Sequence, residues 1–226
     1  MIPLRDNIES ETTPFVTWAI IATNCYVFYL QITAGGMVGF DRFIDHWAVI
    51  PKHLFADPAK YWPTLITAAF LHGGWAHIIG NMLFLHIFGD SVEDRMGHIK
   101  YLIFYVLVGM LANGSQALMS KTSTIPLIGA SGAIAGVLGS YFYYYPYAKI
   151  LTLIPFGFFL QTVEIPAFIF LGLWFLMQTL YSTVAVSAQL ATHHESGGVA
   201  FLAHTAGFVA GLIFSPFFGD KRSKFR

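Results

Sequence analysis

The chain has 226 residues, 56% of them hydrophobic and only 11% charged, with 12 basic residues balanced by 12 acidic ones. That charge fraction is less than half of what soluble domains carry, and zero net charge offers no basic surface for nucleic acid. The 22 Phe, 11 Tyr and 5 Trp instead suit a protein in contact with lipid and bordered by aromatic belts. A single cysteine, Cys25, excludes a disulfide within the chain.

The first fourteen residues carry Arg5, Asp6, Glu9 and Glu11, which is not the pattern of a cleavable signal peptide. A first apolar run from about Pro14 to Thr33 is long enough to span a bilayer. From Ala34 to Pro63, charges such as Asp41, Arg42 and Lys52 mix with Phe40, Trp47 and Tyr61. This segment is too polar to span, and the mixture predicts an interfacial loop with short amphipathic helices. A second span is predicted over Thr64 to Phe88, followed by a polar turn over Gly89 to Gly97 and a third span over His98 to Met119.

The next apolar stretch opens at Ile128-Gly129-Ala130-Ser131-Gly132 and closes at Tyr145-Pro146. A helix from Ser131 to Tyr145 reaches roughly 22 Å, short of a hydrocarbon core of about 30 Å. Its N-terminus must therefore begin below the membrane surface, with Ser123 to Ala130 dipping in as irregular backbone. Such backbone persists at depth only where protein buries it or where it lines a water-filled cavity. Ser131 then sits inside the membrane at a helix N-terminus whose free N–H groups favour negative charge. A plainer reading of Gly-Ala-Ser-Gly is helix-packing filler. A fifth span is predicted from about Ile165 to Val186 and a sixth from about Gly198 to Pro216.

Six spans place both termini on one side. Arg5, Arg95, Lys100, Lys149, Lys221, Arg222, Lys224 and Arg226 share that side, against Arg42, Lys52, Lys60 and Lys121 opposite, so both termini are predicted cytoplasmic. The domain reading is a cytoplasmic segment over 1–13, a six-span domain over 14–218 and a cytoplasmic tail over 219–226. Short termini without a transit peptide point to a bacterial cytoplasmic membrane.

Polar groups within spans are expensive and mark function. His77 and Asn81 lie four apart on one helix face, while His72 falls in the lead-in to that helix. His204 is the one ionisable residue of the sixth span, and Gly207 and Gly211 continue its face. Ala135 and Gly139 do the same below Ser131. Two small-residue seams, each headed by a polar side chain, would bring Ser131 and His204 within hydrogen-bond reach when packed together. Serine is a poor nucleophile until an adjacent imidazole takes its proton. No carboxylate suggests itself as a third member, so His204 is expected to be oriented by packing. The Ser131 N–H, His77 and Asn81 are the candidate oxyanion donors. Taken singly, His204 reads more readily as a satisfied buried histidine, and His77 and Asn81 can be read as interhelical glue. His86 is read as structural, and His193 and His194 as solvated loop residues. A zinc site is disfavoured, because His72 and His77 are five apart and no His-Glu-x-x-His occurs.

These marks together resemble the rhomboid family of intramembrane serine proteases. They are Gly129-x-Ser131-Gly132, His72-(four residues)-His77-(three residues)-Asn81, and Ala203-His204-x-x-Gly207-x-x-x-Gly211, in that placement on the second, fourth and sixth spans. The resemblance covers about residues 14–218. It implies an all-α membrane protein, a six-transmembrane-helix bundle with a short, recessed fourth helix. It implies Ser131 as nucleophile, His204 as base, and oxyanion roles for His77 and Asn81. His72, Gly129, Gly132, Gly207, Gly211 and Glu93 would give structural support. Substrates would be transmembrane segments of other membrane proteins, cut within lipid without metal or nucleotide cofactor. Two departures are plain: the first loop has Trp62-Pro63-Thr64 where many members carry Trp-Arg, and Ala135 stands where some place a tyrosine against the histidine. The rival function is a noncatalytic, rhomboid-like binder of membrane helices. A transporter or channel would want a paired or midplane ionisable pathway, which this chain hardly offers.

Overall fold

The computed structural model describes residues 1–156, 159–192 and 201–219. The expectations for His193 and His194, and for the tail beyond Gly219, lie outside those residues. Ten helices and three strands run in the order β1 (Ile2–Arg5), α1 (Phe15–Thr33), α2 (Gly36–Trp47), α3 (Pro51–Ala56), α4 (Pro58–Tyr61), α5 (Thr64–Thr67), α6 (Trp75–Met96), α7 (His98–Met119), α8 (Ser131–Tyr144), β2 (Lys149–Phe156), β3 (Phe159–Pro166), α9 (Ala167–Thr192) and α10 (Phe201–Phe218), among the described residues. Of these, α1, α7 and α10 are long and apolar enough to cross a membrane. A protein with these helices is a membrane protein.

The predicted second span is displaced. Residues 64–74 form a short helical turn, a 3-10 turn at Ala68–Phe70 and an extended stretch, and the continuous helix starts only at Trp75. That helix runs straight through the predicted turn at 89–97 and stops at Gly97, whose φ of 77° ends it in the manner of a C-terminal glycine. The polar residues stay helical because the N-terminal segment, and not water, satisfies them. Glu93 is fully buried and accepts the Val16 N–H at 2.9 Å and the Thr17 N–H at 2.7 Å, which are orphan donors at the start of α1. It also meets His98 Nδ1 at 2.6 Å. Asp94 accepts from the Thr12 N–H and hydroxyl.

The all-helical expectation needs one amendment. Residues 149–166 form a hairpin, and β1 pairs antiparallel with β2, giving a sheet of order β1-β2-β3. Residues 1–13 are therefore docked and not a loose tail. Beyond β1, Tyr141 Oη donates to Asp6 Oδ2 at 2.6 Å, and the Lys149 N–H donates to Asn7 Oδ1 at 2.7 Å. The N-terminus and the C-terminal end of α8 thus share one end of the bundle. Gly219 lies there too, because a β-carbon on it would meet Tyr144 Oη at 2.8 Å.

The centre is α8 against α10, backbone against backbone. A β-carbon at Gly207 would run into the carbonyl oxygen of Gly132, one at Gly211 into that of Gly136, and one at Gly139 into that of Phe208. Glycine is required at these three contacts because only its absent side chain permits the approach. Lower down, Ser215 Oγ donates to Ser140 Oγ at 2.8 Å and Tyr144 Oη donates to Ser215 O at 2.6 Å, tying the same two helices together.

Candidate active site

Ser131 is the first residue of α8, a helix of 14 residues. Its lead-in is irregular, as expected, and protein holds it in place. Val49 and Leu127 exchange backbone hydrogen bonds at 3.2 and 2.8 Å, the Lys52 N–H reaches Ser123 O, and the Gly129 N–H reaches Ala68 O at 2.9 Å. The segment between α1 and α6 therefore supplies the backbone partners of this irregular stretch. Gly129 has φ of 123°, a conformation that L side chains rarely adopt.

Four helices deliver the polar groups. His204 Nε2 lies 2.7 Å from Ser131 Oγ. The imidazole is 8% exposed, and α10 is held at that level where Gln116 Oε1 of α7 accepts the Ala203 N–H. A β-carbon at Gly129 would lie 2.8 Å from His77 Nε2 and 3.5 Å from Ser131 Oγ, so the His77 ring and the hydroxyl border one small space. The Gly73 N–H points at His77 Nδ1 (3.4 Å), which leaves the His77 proton on Nε2, the edge turned towards Gly129.

Asn81 and His72 pair with each other. Asn81 Nδ2 donates to His72 Nε2 at 2.9 Å, which uses one of its two amide protons. His72 is fully buried, its backbone clamped on both sides by Gln31, whose Oε1 accepts the His72 N–H at 3.0 Å and whose Nε2 donates to His72 O at 3.1 Å. Its ring stands edge-on to His77 with centroids 5.0 Å apart. Gly132, Gly207 and Gly211 sit in the α8–α10 contact, Glu93 caps α1 at the far end of α6, and His86 is exposed.

One group escaped the sequence. Gln178 of α9 places Oε1 2.8 Å from His204 Nδ1, so the imidazole is gripped at both nitrogens and not only by packing. Trp174, one turn earlier, lies against the same ring at 6.1 Å and 34°, and Phe201 meets it edge-on. A glutamine in the middle of an apolar helix was the available signal. The aromatic residues of α9 divide by role: Phe170 is buried near Phe88, Phe168 packs on Tyr147, and Phe175 stacks on Phe208 at 4.6 Å. No group of three or more metal-ligating side chains occurs among the described residues.

A family model for the Rhomboid domain matches residues 59–221. Rhomboid-like protein 11, chloroplastic, of Arabidopsis thaliana is 30% identical over 112 residues, covering 49% of this chain and 39% of that protein. Rhomboid protease GluP of Bacillus subtilis (strain 168) is 30% identical over 130 residues, 58% of this chain and 24% of the relative. Rhomboid protein 1, mitochondrial, of Saccharomyces cerevisiae (strain ATCC 204508 / S288c) is 31% identical over 114 residues, 49% and 32% respectively. The chain spans less than half the length of these relatives.

Proposed function

The chain belongs to the rhomboid family, and from that premise we propose that it is an intramembrane serine endopeptidase acting on transmembrane segments of other membrane proteins. The observation that carries this reading is the 2.7 Å approach of Ser131 Oγ to His204 Nε2 at the start of a helix too short to span. Ser131 Oγ attacks the scissile carbonyl carbon while His204 Nε2 takes its proton. The imidazolium returns that proton to the leaving amine, and water then hydrolyses the acyl-enzyme by the same route. Charge on the tetrahedral oxygen is met by the Ser131 N–H at the start of α8 and by His77 Nε2–H across the space beside Gly129. The remaining Asn81 amide proton adds to this set, with His72 holding the amide in place.

In this reading α1, α6, α7, α8, α9 and α10 are six spans, and the domain runs over residues 14–218. An even number of spans agrees with the N-terminal strand and Gly219 lying at the same end of the bundle. The greater Lys and Arg count at that end makes it cytoplasmic, so Ser131 opens towards the outer leaflet. A substrate helix has its own backbone satisfied, so it must unwind before attack, and cleavage should favour Gly, Pro and other weak helix formers. The noncatalytic alternative has no observation in its favour, since the serine and histidine are both present and in hydrogen-bond contact.

The test is incubation of the purified protein with a panel of single-span membrane proteins and mass mapping of the products. Cuts inside or beside a transmembrane segment, lost in Ser131→Ala, are expected. Products that persist in Ser131→Ala contradict the assignment.

A further inference from the structure

We propose that Gln178 is a positioning residue, its side-chain oxygen accepting the Nδ1 proton of His204 and holding the imidazole in the tautomer whose Nε2 takes the proton of Ser131. This rests on the reading of Ser131 and His204 as nucleophile and base. A neutral imidazole carries one proton, and which nitrogen bears it is set by the hydrogen bond that the other makes. An amide oxygen only accepts, so an oxygen 2.8 Å from Nδ1 fixes the proton there and frees the Nε2 lone pair, which faces Ser131 Oγ at 2.7 Å. In triad enzymes a carboxylate has this task. Here a neutral acceptor performs it, which suits a histidine only 8% exposed, since a buried carboxylate would add a second desolvated charge.

The element that carries Gln178 gives the contact a second consequence. On α9, Trp174 and Gln178 lie four residues apart and both face His204, while Phe175 stacks on Phe208 one turn further along α10. The seating of α9 on α10 therefore sets the tautomer. A displacement of α9 by about 1 Å lengthens the Nδ1 contact beyond hydrogen-bond range. A substrate that displaced α9 would leave His204 without its acceptor until α9 reseats.

The experiment measures the rate of labelling by a serine-directed fluorophosphonate across pH for full-length wild type, Ser131→Ala, Gln178→Met and Gln178→Glu, with thermal melting in detergent to confirm folding. Gln178→Met keeps the length and loses the acceptor; it is expected to label about tenfold more slowly, the weight of one buried hydrogen bond, with a melting point near that of wild type. Gln178→Glu restores an acceptor, and its charge stabilises the imidazolium. It is therefore expected to recover the rate while its acid limb moves to higher pH. Wild-type rate and pH profile in both variants would overturn the proposal while leaving the nucleophile intact. Wild-type labelling that survives in Ser131→Ala would instead overturn the reading beneath it.

Discussion

Substituting Gly207 by alanine tests whether the α8–α10 contact sets the distance between hydroxyl and imidazole. The new β-carbon would overlap the Gly132 carbonyl oxygen and lie 3.1 Å from its carbon and 3.3 Å from Ala135 Cβ. A carbonyl inside a helix cannot rotate away without losing its own hydrogen bond, so the two helices must separate, by about 1 Å to reach ordinary contact distances. Gly132 follows Ser131 directly and Gly207 lies one turn beyond His204. The 2.7 Å contact at that level would therefore open to about 3.7 Å, beyond hydrogen-bond range. The overpacking costs about 1–3 kcal/mol of stability, and loss of the positioned base lowers turnover by roughly 10²–10⁴. Cleavage of a single-span substrate in detergent, read beside a thermal melt, measures both. Gly80→Ala on α6 is the control: no heavy atom lies within 4 Å of the added carbon, and helix stability rises by about 0.5–1 kcal/mol. Full activity in Gly207→Ala, or an equal loss in Gly80→Ala, would refute the reasoning.

Glu93→Ala leaves the Val16 and Thr17 N–H groups without their acceptor and should cost on the order of 2–4 kcal/mol. Cleavage at low temperature should be spared, and an unchanged melting point would argue against the capping role. Burial raises the Asp6 carboxyl above its ordinary range despite hydroxyls from Tyr141 and Ser91, with Asp90 the neighbouring carboxylate. The fold thus favours protonated Asp6; that stabilisation is full below the unfolded value of 3.8 and is lost as pH rises through the raised one. Asp6→Asn keeps an acceptor for Tyr141, so it should melt higher than wild type at pH 8 and show a smaller gap between pH 4 and pH 8; an unaltered gap contradicts this. Trimming Phe175 to alanine removes the stack on Phe208 that seats α9 against α10 and should slow cleavage of a transmembrane substrate several-fold, because the Gln178 contact to His204 loosens with it. An unchanged or higher rate in a folded variant would show that the stack does not hold Gln178 on His204.

The site was readable where chemistry and spacing coincide. Gly207 and Gly211 fall three and seven residues after His204 and define a face by periodicity alone, and Pro126 with Gly129 announces a break before the helix at Ser131. Gln178 stands out as a polar residue in an apolar helix, but its partner lies 26 residues away and nothing local says that it faces one. The same holds for the run at 89–97. Three acidic residues between two glycines look like a solvated turn until the orphan amides of α1 and the hydroxyl and N–H of Thr12 are brought to them by tertiary packing. The hairpin left no period-2 signal, since Ile150-Leu151-Thr152-Leu153-Ile154 is apolar on both faces of a strand. Pairing with Ile2–Arg5 is a long-range event that no window detects.

The central claim is that Ser131 and His204 act as one unit. Peptide mapping of the fluorophosphonate adduct tests it most directly. The prediction is a single adduct on Ser131 in wild type, absent from Ser131→Ala and nearly absent from His204→Ala. An adduct on another residue, or wild-type labelling of Ser131 without the imidazole, would contradict it.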